Sequence, residues 1–120
     1  DLCPEQNFQT AAVLITRVIS IPGQNKICLD LGHKSVAAEN AIEKRIYFLN
    51  APGLKAISQS EEHLVVETEQ LTDYKVGDVL YGLPYHICPT VALYERVFTV
   101  ENSKVVSEWR NLARDRKIGV

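Results

Sequence analysis

Methionine is missing from this chain, and cysteine is sparse: of 120 residues, none is Met and three are Cys. A chain that opens on Asp1 with no methionine carries no initiator, so the expectation is a piece cut from a longer protein. Cys3, Cys28 and Cys88 are odd in number and unrelated in spacing. That argues against a disulfide framework and for a reducing, cytoplasmic compartment. Cys3 and Cys28 are expected as plain thiols in or near the core. No apolar run reaches membrane-spanning length and no signal-peptide pattern is present, so no membrane partner is expected. Basic charge is not in excess either, with 13 Lys and Arg against 15 Asp and Glu. The one basic run, Arg110 to Lys117, is interrupted by Asp115, so nucleic acid is not an expected partner.

What is present is the composition of an ordinary globular domain, 46% hydrophobic and 23% charged, long enough for one core. Strand signals dominate. Ala12–Ile21 is β-branched and apolar, Pro22-Gly23-Gln24-Asn25 is a turn, and Lys26–Leu31 completes a hairpin. Ser35–Ala41 has short-helix character with Ser35 as its N-cap. Further strands are expected at Arg45–Leu49, at Leu54–Ser58 and His63–Thr68 around the acidic turn Ser60-Glu61-Glu62, and at Val79–Pro84. A last hairpin joins Arg96–Val100 to Lys104–Trp109. The fold class is therefore mainly β. The expected form is a small antiparallel barrel or sandwich with one or two short helices, a single β-domain over residues 1–120. Its edges or one open end need covering by something else.

The stretch Pro84-Tyr85-His86-Ile87-Cys88-Pro89-Thr90 carries the chemistry. In an extended segment, side chains two apart share a face, so His86 and Cys88 would project together. If Pro89 opens a helical turn, Cys88 is its N-cap, and a helix N-terminus stabilises a thiolate. Imidazole beside thiolate is the start of a zinc site. Two protein ligands leave positions open for water or substrate, the requirement for Lewis-acid chemistry.

Four segments in order now resemble one family. Leu29-Asp30-Leu31-Gly32-His33-Lys34-Ser35 is similar to an Asp-x-Gly-x-Lys strand end, and Ser58-Gln59-Ser60-Glu61-Glu62-His63 to a Ser-x-Glu-His segment. Gly77-Asp78 precedes a short strand, and Pro84-x-His86-x-Cys88-Pro89-Thr90 precedes the final hairpin. Over roughly Leu14 to Trp109 the chain resembles the C-terminal domain of the D-serine dehydratase and D-threonine aldolase group, pyridoxal-phosphate enzymes of the alanine-racemase-like fold type. The resemblance implies that His86 and Cys88 are the two metal ligands. Zinc is favoured by the thiol, and manganese, an option where a carboxylate replaces it, is less favoured. The metal would coordinate the β-hydroxyl of a D-3-hydroxy amino acid, the small-molecule substrate, held on pyridoxal phosphate. The cofactor acts as electron sink. It also implies that pyridoxal phosphate sits in an N-terminal β/α barrel of the same polypeptide, absent here, so that this piece alone is inactive. Lys34, Lys55 and Lys104 are then not Schiff-base candidates. Enzymes of this fold type often dimerise, and a homodimer is implied in that sense.

Other residues have two readings. His63 is either a surface-turn histidine bonded to a neighbouring carboxylate or a catalytic group near metal or substrate, and is not counted as a ligand. Asp30 and Lys34 are expected to form a local ion pair shaping the Gly32 turn. Thr90 either bonds a metal ligand or caps the turn. Tyr81 is expected in the core, Tyr85 at a surface or domain interface, and Trp109 as a core or interface anchor. Two competing functions stand beside the lyase: a non-catalytic β interaction module with an incidental His-Cys pair, and a Cys88 nucleophile, which lacks an evident orienting residue.

Overall fold

The β-branched run after Val13 forms one long strand, β1 (Leu14–Gly23), in the computed structural model, which describes residues 9–115 and 119. It turns back into β2 (Lys26–Leu29) through Gln24 and Asn25, with φ of 52° and 61°. Positive φ at both central residues makes this the hairpin turn whose twist matches the strands. The remaining strands are β3 (Ile46–Phe48), β4 (Lys55–Gln59), β5 (Leu64–Glu67), β6 (Val79–Pro84), β7 (Arg96–Glu101) and β8 (Lys104–Arg110). Between β6 and β7 lies one short helix, α1 (Ile87–Val91).

Strands β1 to β6 make a single sheet in the order β3-β6-β1-β2-β5-β4, every neighbouring pair antiparallel. Strands β7 and β8 form a separate two-stranded arm joined at Asn102 and Ser103, again with positive φ at both. The domain is mainly β, as expected, and its large sheet is an open half-barrel rather than a closed one. Alternate residues of the strands fill the core: Val18, Ile27, Leu29, Ile46, Phe48, Leu64, Val66 and Leu80. Loop residues Leu31, Val36 and Ala51 cover them. Each such aliphatic side chain contributes roughly 1.5–3 kcal/mol on burial, and this row fixes the register of the sheet. Among the described residues, no helix is long and apolar enough to cross a membrane.

Several sequence expectations fail here. Ser35–Ala41 is not a helix but an irregular loop with bends, and a 3₁₀ turn follows only at Ile42–Lys44. The Ser35 and Val36 N–H donate back to the Gly32 carbonyl, and Ala37 N–H donates to the Thr90 hydroxyl; just before the segment, His33 and Lys34 N–H donate to the Ser60 and Glu61 carbonyls. Burial of Val36 and Ala37 outweighs weak helix propensity. Tyr81 is not in the core: it lies on the outer face of β6, 45% exposed, opposite Ile15. Trp109, paired with Val97 on the arm, is 66% exposed, which leaves only the interface half of its reading. Cys28 is half-buried beside the core, as expected, while Cys3 lies outside the described residues. Within the basic run, Arg110 pairs with Asp115, and Arg116 and Lys117 lie outside the described residues.

Candidate metal centre

β6 ends at Pro84, and two residues later His86 caps α1 in an extended backbone conformation. Cys88 is therefore the second residue of the helix and Pro89 the third. The expectation of an extended His86-x-Cys88 face with Cys88 as N-cap is corrected by this. The helix begins two residues earlier because proline is tolerated throughout a first turn, whose N–H groups have no intrahelical acceptor. His86 and Cys88 still belong to one turn, and both are solvent-exposed.

Three interactions hold that turn. The Thr90 hydroxyl donates to the His86 carbonyl at 2.8 Å. The same oxygen accepts the Ala37 N–H at 3.1 Å, in a fully buried position. Tyr85 N–H donates to the Arg45 carbonyl at 3.2 Å, extending the edge contact beyond β3. Thr90 thus bonds the His86 backbone carbonyl within the turn rather than the imidazole itself.

The loop between β2 and β3 approaches the turn from the other side. The Tyr94 hydroxyl donates to the Ser35 carbonyl at 2.8 Å, and burial raises the Tyr94 phenol above its ordinary value while this bond lowers it. Arg45 Nε donates to the Asn40 carbonyl at 2.8 Å, and Arg45 also donates to Gln59 at 2.7 Å. Between these anchors, Glu39 brings its Oε1 onto Nδ1 of His86. Sequence reading missed Glu39. It lies 47 positions from His86, and a single glutamate in a polar loop carries no periodic or motif signal.

Asp30 and Lys34 do not pair. Asp30 accepts from the Thr16 hydroxyl and the Arg17 N–H, both at 2.6 Å, tying the end of β2 to β1. Lys34 reaches Glu61 at 2.8 Å and Glu62 at 2.6 Å, and bonding to Glu61 first, then Glu62, holds its ammonium above the ordinary lysine range. The two residues diverge because Gly32 between them is pressed against the β4–β5 turn: a Cβ there would stand 2.1 Å from the Glu61 carbonyl oxygen. His63 is exposed in that turn, and its N–H and carbonyl both engage Ser60.

The donor chemistry fits a metal. Imidazole nitrogen and thiol sulfur are the preferred zinc ligands. Both are accessible, and the Glu39 contact leaves the far nitrogen of His86 free. Among the described residues, no three His, Cys, Asp or Glu side chains converge as a metal-holding group. Among the described residues, His86 and Cys88 carry these two donor types on one exposed turn.

Residues 11–100 match the family model described as "Putative serine dehydratase domain". A D-threonine aldolase of Arthrobacter sp is 31% identical over 110 residues, covering 89% of this chain and 28% of that protein. The D-threonine aldolase structure from Filomicrobium marinum superposes with a TM-score of 0.79 at 21% identity, covering 91% of this chain and 29% of that one. The D-threo-3-hydroxyaspartate dehydratase from Delftia sp. HT23 has a TM-score of 0.67 at 18% identity over 83% of this chain and 31% of that one. Variants of a D-threo-3-hydroxyaspartate dehydratase match equally well, one with histidine and one with cysteine replaced by alanine at positions two apart; the cysteine variant is described as metal-free. The chain spans less than a third of the length of each of these proteins.

Proposed function

The chain belongs to the serine dehydratase domain family, and from that premise we propose that it is the metal-bearing C-terminal domain of a pyridoxal-phosphate-dependent lyase acting on D-3-hydroxy amino acids. The observation that carries this reading is the shared helical turn of His86 and Cys88, anchored through Thr90 and open to solvent. It is supported by the spacing of two in the dehydratase variants, where removal of the cysteine accompanies a metal-free form. His86 and Cys88 would hold the metal. The chemistry supplied at these two residues by a bound zinc would be Lewis-acid polarisation of the substrate β-hydroxyl. The protein's own part is positional: the Thr90 bond fixes the His86 backbone, α1 sets the relation of Cys88 to His86, and the open half-site leaves room for substrate oxygen and water.

A β/α barrel of the same polypeptide would carry pyridoxal phosphate and complete the pocket. The exposed apolar residues of the arm, Phe98, Val100, Val105 and Trp109, and of the outer sheet face, Ile15 and Tyr81, supply surface for such a neighbour. His63 is retained as a candidate catalytic group on the turn that the β2–β3 loop contacts.

The test uses the full-length polypeptide that contains this chain. Zinc content, the visible absorption of pyridoxal phosphate, and release of keto acid or aldehyde from D-serine and D-threonine are measured with and without chelator. Chelator-sensitive release, lost in Cys88→Ala, is expected, and the product names the reaction. A colourless protein without metal and without turnover would leave a non-catalytic interaction module.

A further inference from the structure

Resting on the metal reading of His86, we propose that Glu39 is a positioning residue that presets the imidazole for metal binding. The contact between Glu39 Oε1 and His86 Nδ1 is the only side-chain hydrogen bond or ion pair of the His86 ring among the described residues. An ionised carboxylate has only acceptor capacity, so the shared proton belongs to Nδ1. In the neutral imidazole that leaves the lone pair on Nε2, which faces away from Glu39 and is the atom available to a metal. Bonding of the second ring nitrogen to a carboxylate fixes tautomer and ring orientation.

Glu39 is unsuited to be a third ligand, because it, His86 and Cys88 do not converge as a metal-holding group. It is well suited to hold the ring. Side chains 50% and 43% exposed, as those of His86 and Glu39 are, would not stay in register unaided. Here the backbone on both sides of Glu39 is pinned, at Ala37 by the Thr90 hydroxyl and at Asn40 by Arg45. Thr90 is the common anchor, bonded to the loop that carries Glu39 and to the residue that Glu39 orients.

The experiment measures zinc affinity of the full-length polypeptide by chelator competition in Glu39→Gln, Glu39→Ala, His86→Ala and the unsubstituted protein. The imidazole nitrogen signals of the metal-free, ¹⁵N-histidine-labelled protein are recorded in parallel. Glu39→Ala is expected to weaken zinc binding about 10–100-fold and to shift His86 away from the Nδ1–H tautomer. Glu39→Gln, which keeps an acceptor oxygen but loses the charge, is expected to fall between. The unfolding midpoint should stay at that of the unsubstituted protein in both. If Glu39→Ala folds poorly, Glu39→Gln decides alone. Zinc affinity and tautomer unchanged in the Glu39 variants, with binding lost in His86→Ala, would overturn the role of Glu39 and leave the metal site standing. Zinc binding that survives His86→Ala would overturn the metal site itself, and Glu39 with it.

Discussion

The Thr90 hydroxyl donates to the backbone carbonyl of His86, 2.8 Å away and four residues earlier, at the N-cap of the same short helix. Because that oxygen also accepts the Ala37 N–H, one buried threonine joins the helical turn to the loop that carries Glu39. Thr90→Val removes both bonds and leaves an amide N–H unpaired in a buried position. The expected cost is about 1–3 kcal/mol of stability, read as a lower denaturant midpoint, together with weaker zinc binding. Thr90→Ser, which keeps the hydroxyl, should retain most of both. Equal midpoints for the valine and serine variants would mean that the anchor is dispensable.

Gly32 has no room for a side chain: its Cβ position lies 2.1 Å from the Glu61 carbonyl oxygen and 2.3 Å from the Glu62 nitrogen. These are backbone atoms, so the neighbour cannot swing aside. Gly32→Ala should separate the β2–β3 loop from the β4–β5 turn at a cost of about 1–3 kcal/mol. Thermal unfolding compared with Gly53→Ala, where the Cβ meets nothing within 4 Å, checks it. Similar losses at both positions would refute the close approach as the cause.

The Lys34 contact with Glu61 is exposed, and its signature is a titration rather than a stability change. Bonding to Lys34 holds the Glu61 carboxyl below its ordinary 4.5. A depressed folded value means that this contribution is present above the unfolded carboxyl value and is lost as pH falls through the folded one. Lys34 is shifted upward, so its side of the pair persists below the ordinary lysine value and is lost as pH rises through the raised one. The contact is thus fully present from above the ordinary carboxyl value up to the ordinary lysine value. An NMR titration of the Glu61 carboxyl should give a midpoint below 4.5 that moves upward in Lys34→Gln. An unchanged midpoint in that variant would remove Lys34 as the cause.

Cys88→Asp exchanges a soft sulfur for a hard oxygen at an exposed position in the first helical turn, where an acidic side chain is also favoured by the helix dipole. The fold should be retained, and metal preference should move from zinc toward manganese. Competition of the two metals for the full-length protein measures this. A zinc preference as strong as that of the unsubstituted protein would show that Cys88 does not set metal choice.

The strands were legible in the sequence because their signals are local. A β-branched apolar run marked β1, short apolar runs marked β3, β5 and β6, and Gln24-Asn25 and Asn102-Ser103 stood where hairpin turns were expected. His86 and Cys88 were legible for the same reason, being two positions apart with Pro89 behind them. What the sequence did not reveal depends on distant partners. Ser35–Ala41 reads as a weak helix, but the preceding His33 and Lys34 amides are held by Ser60 and Glu61 and the Ala37 amide by Thr90, which draw it into a loop. Lys34 has a nearby acidic residue in Asp30, yet close packing of Gly32 on the β4–β5 turn hands it to Glu61 and Glu62. Glu39 meets His86 across 47 positions, through a loop whose path Thr90 and Arg45 decide. Local chemistry was determined by the sequence itself. The partners of that chemistry were decided by the tertiary structure, because burial and backbone hydrogen bonding across the sheet choose which loops meet.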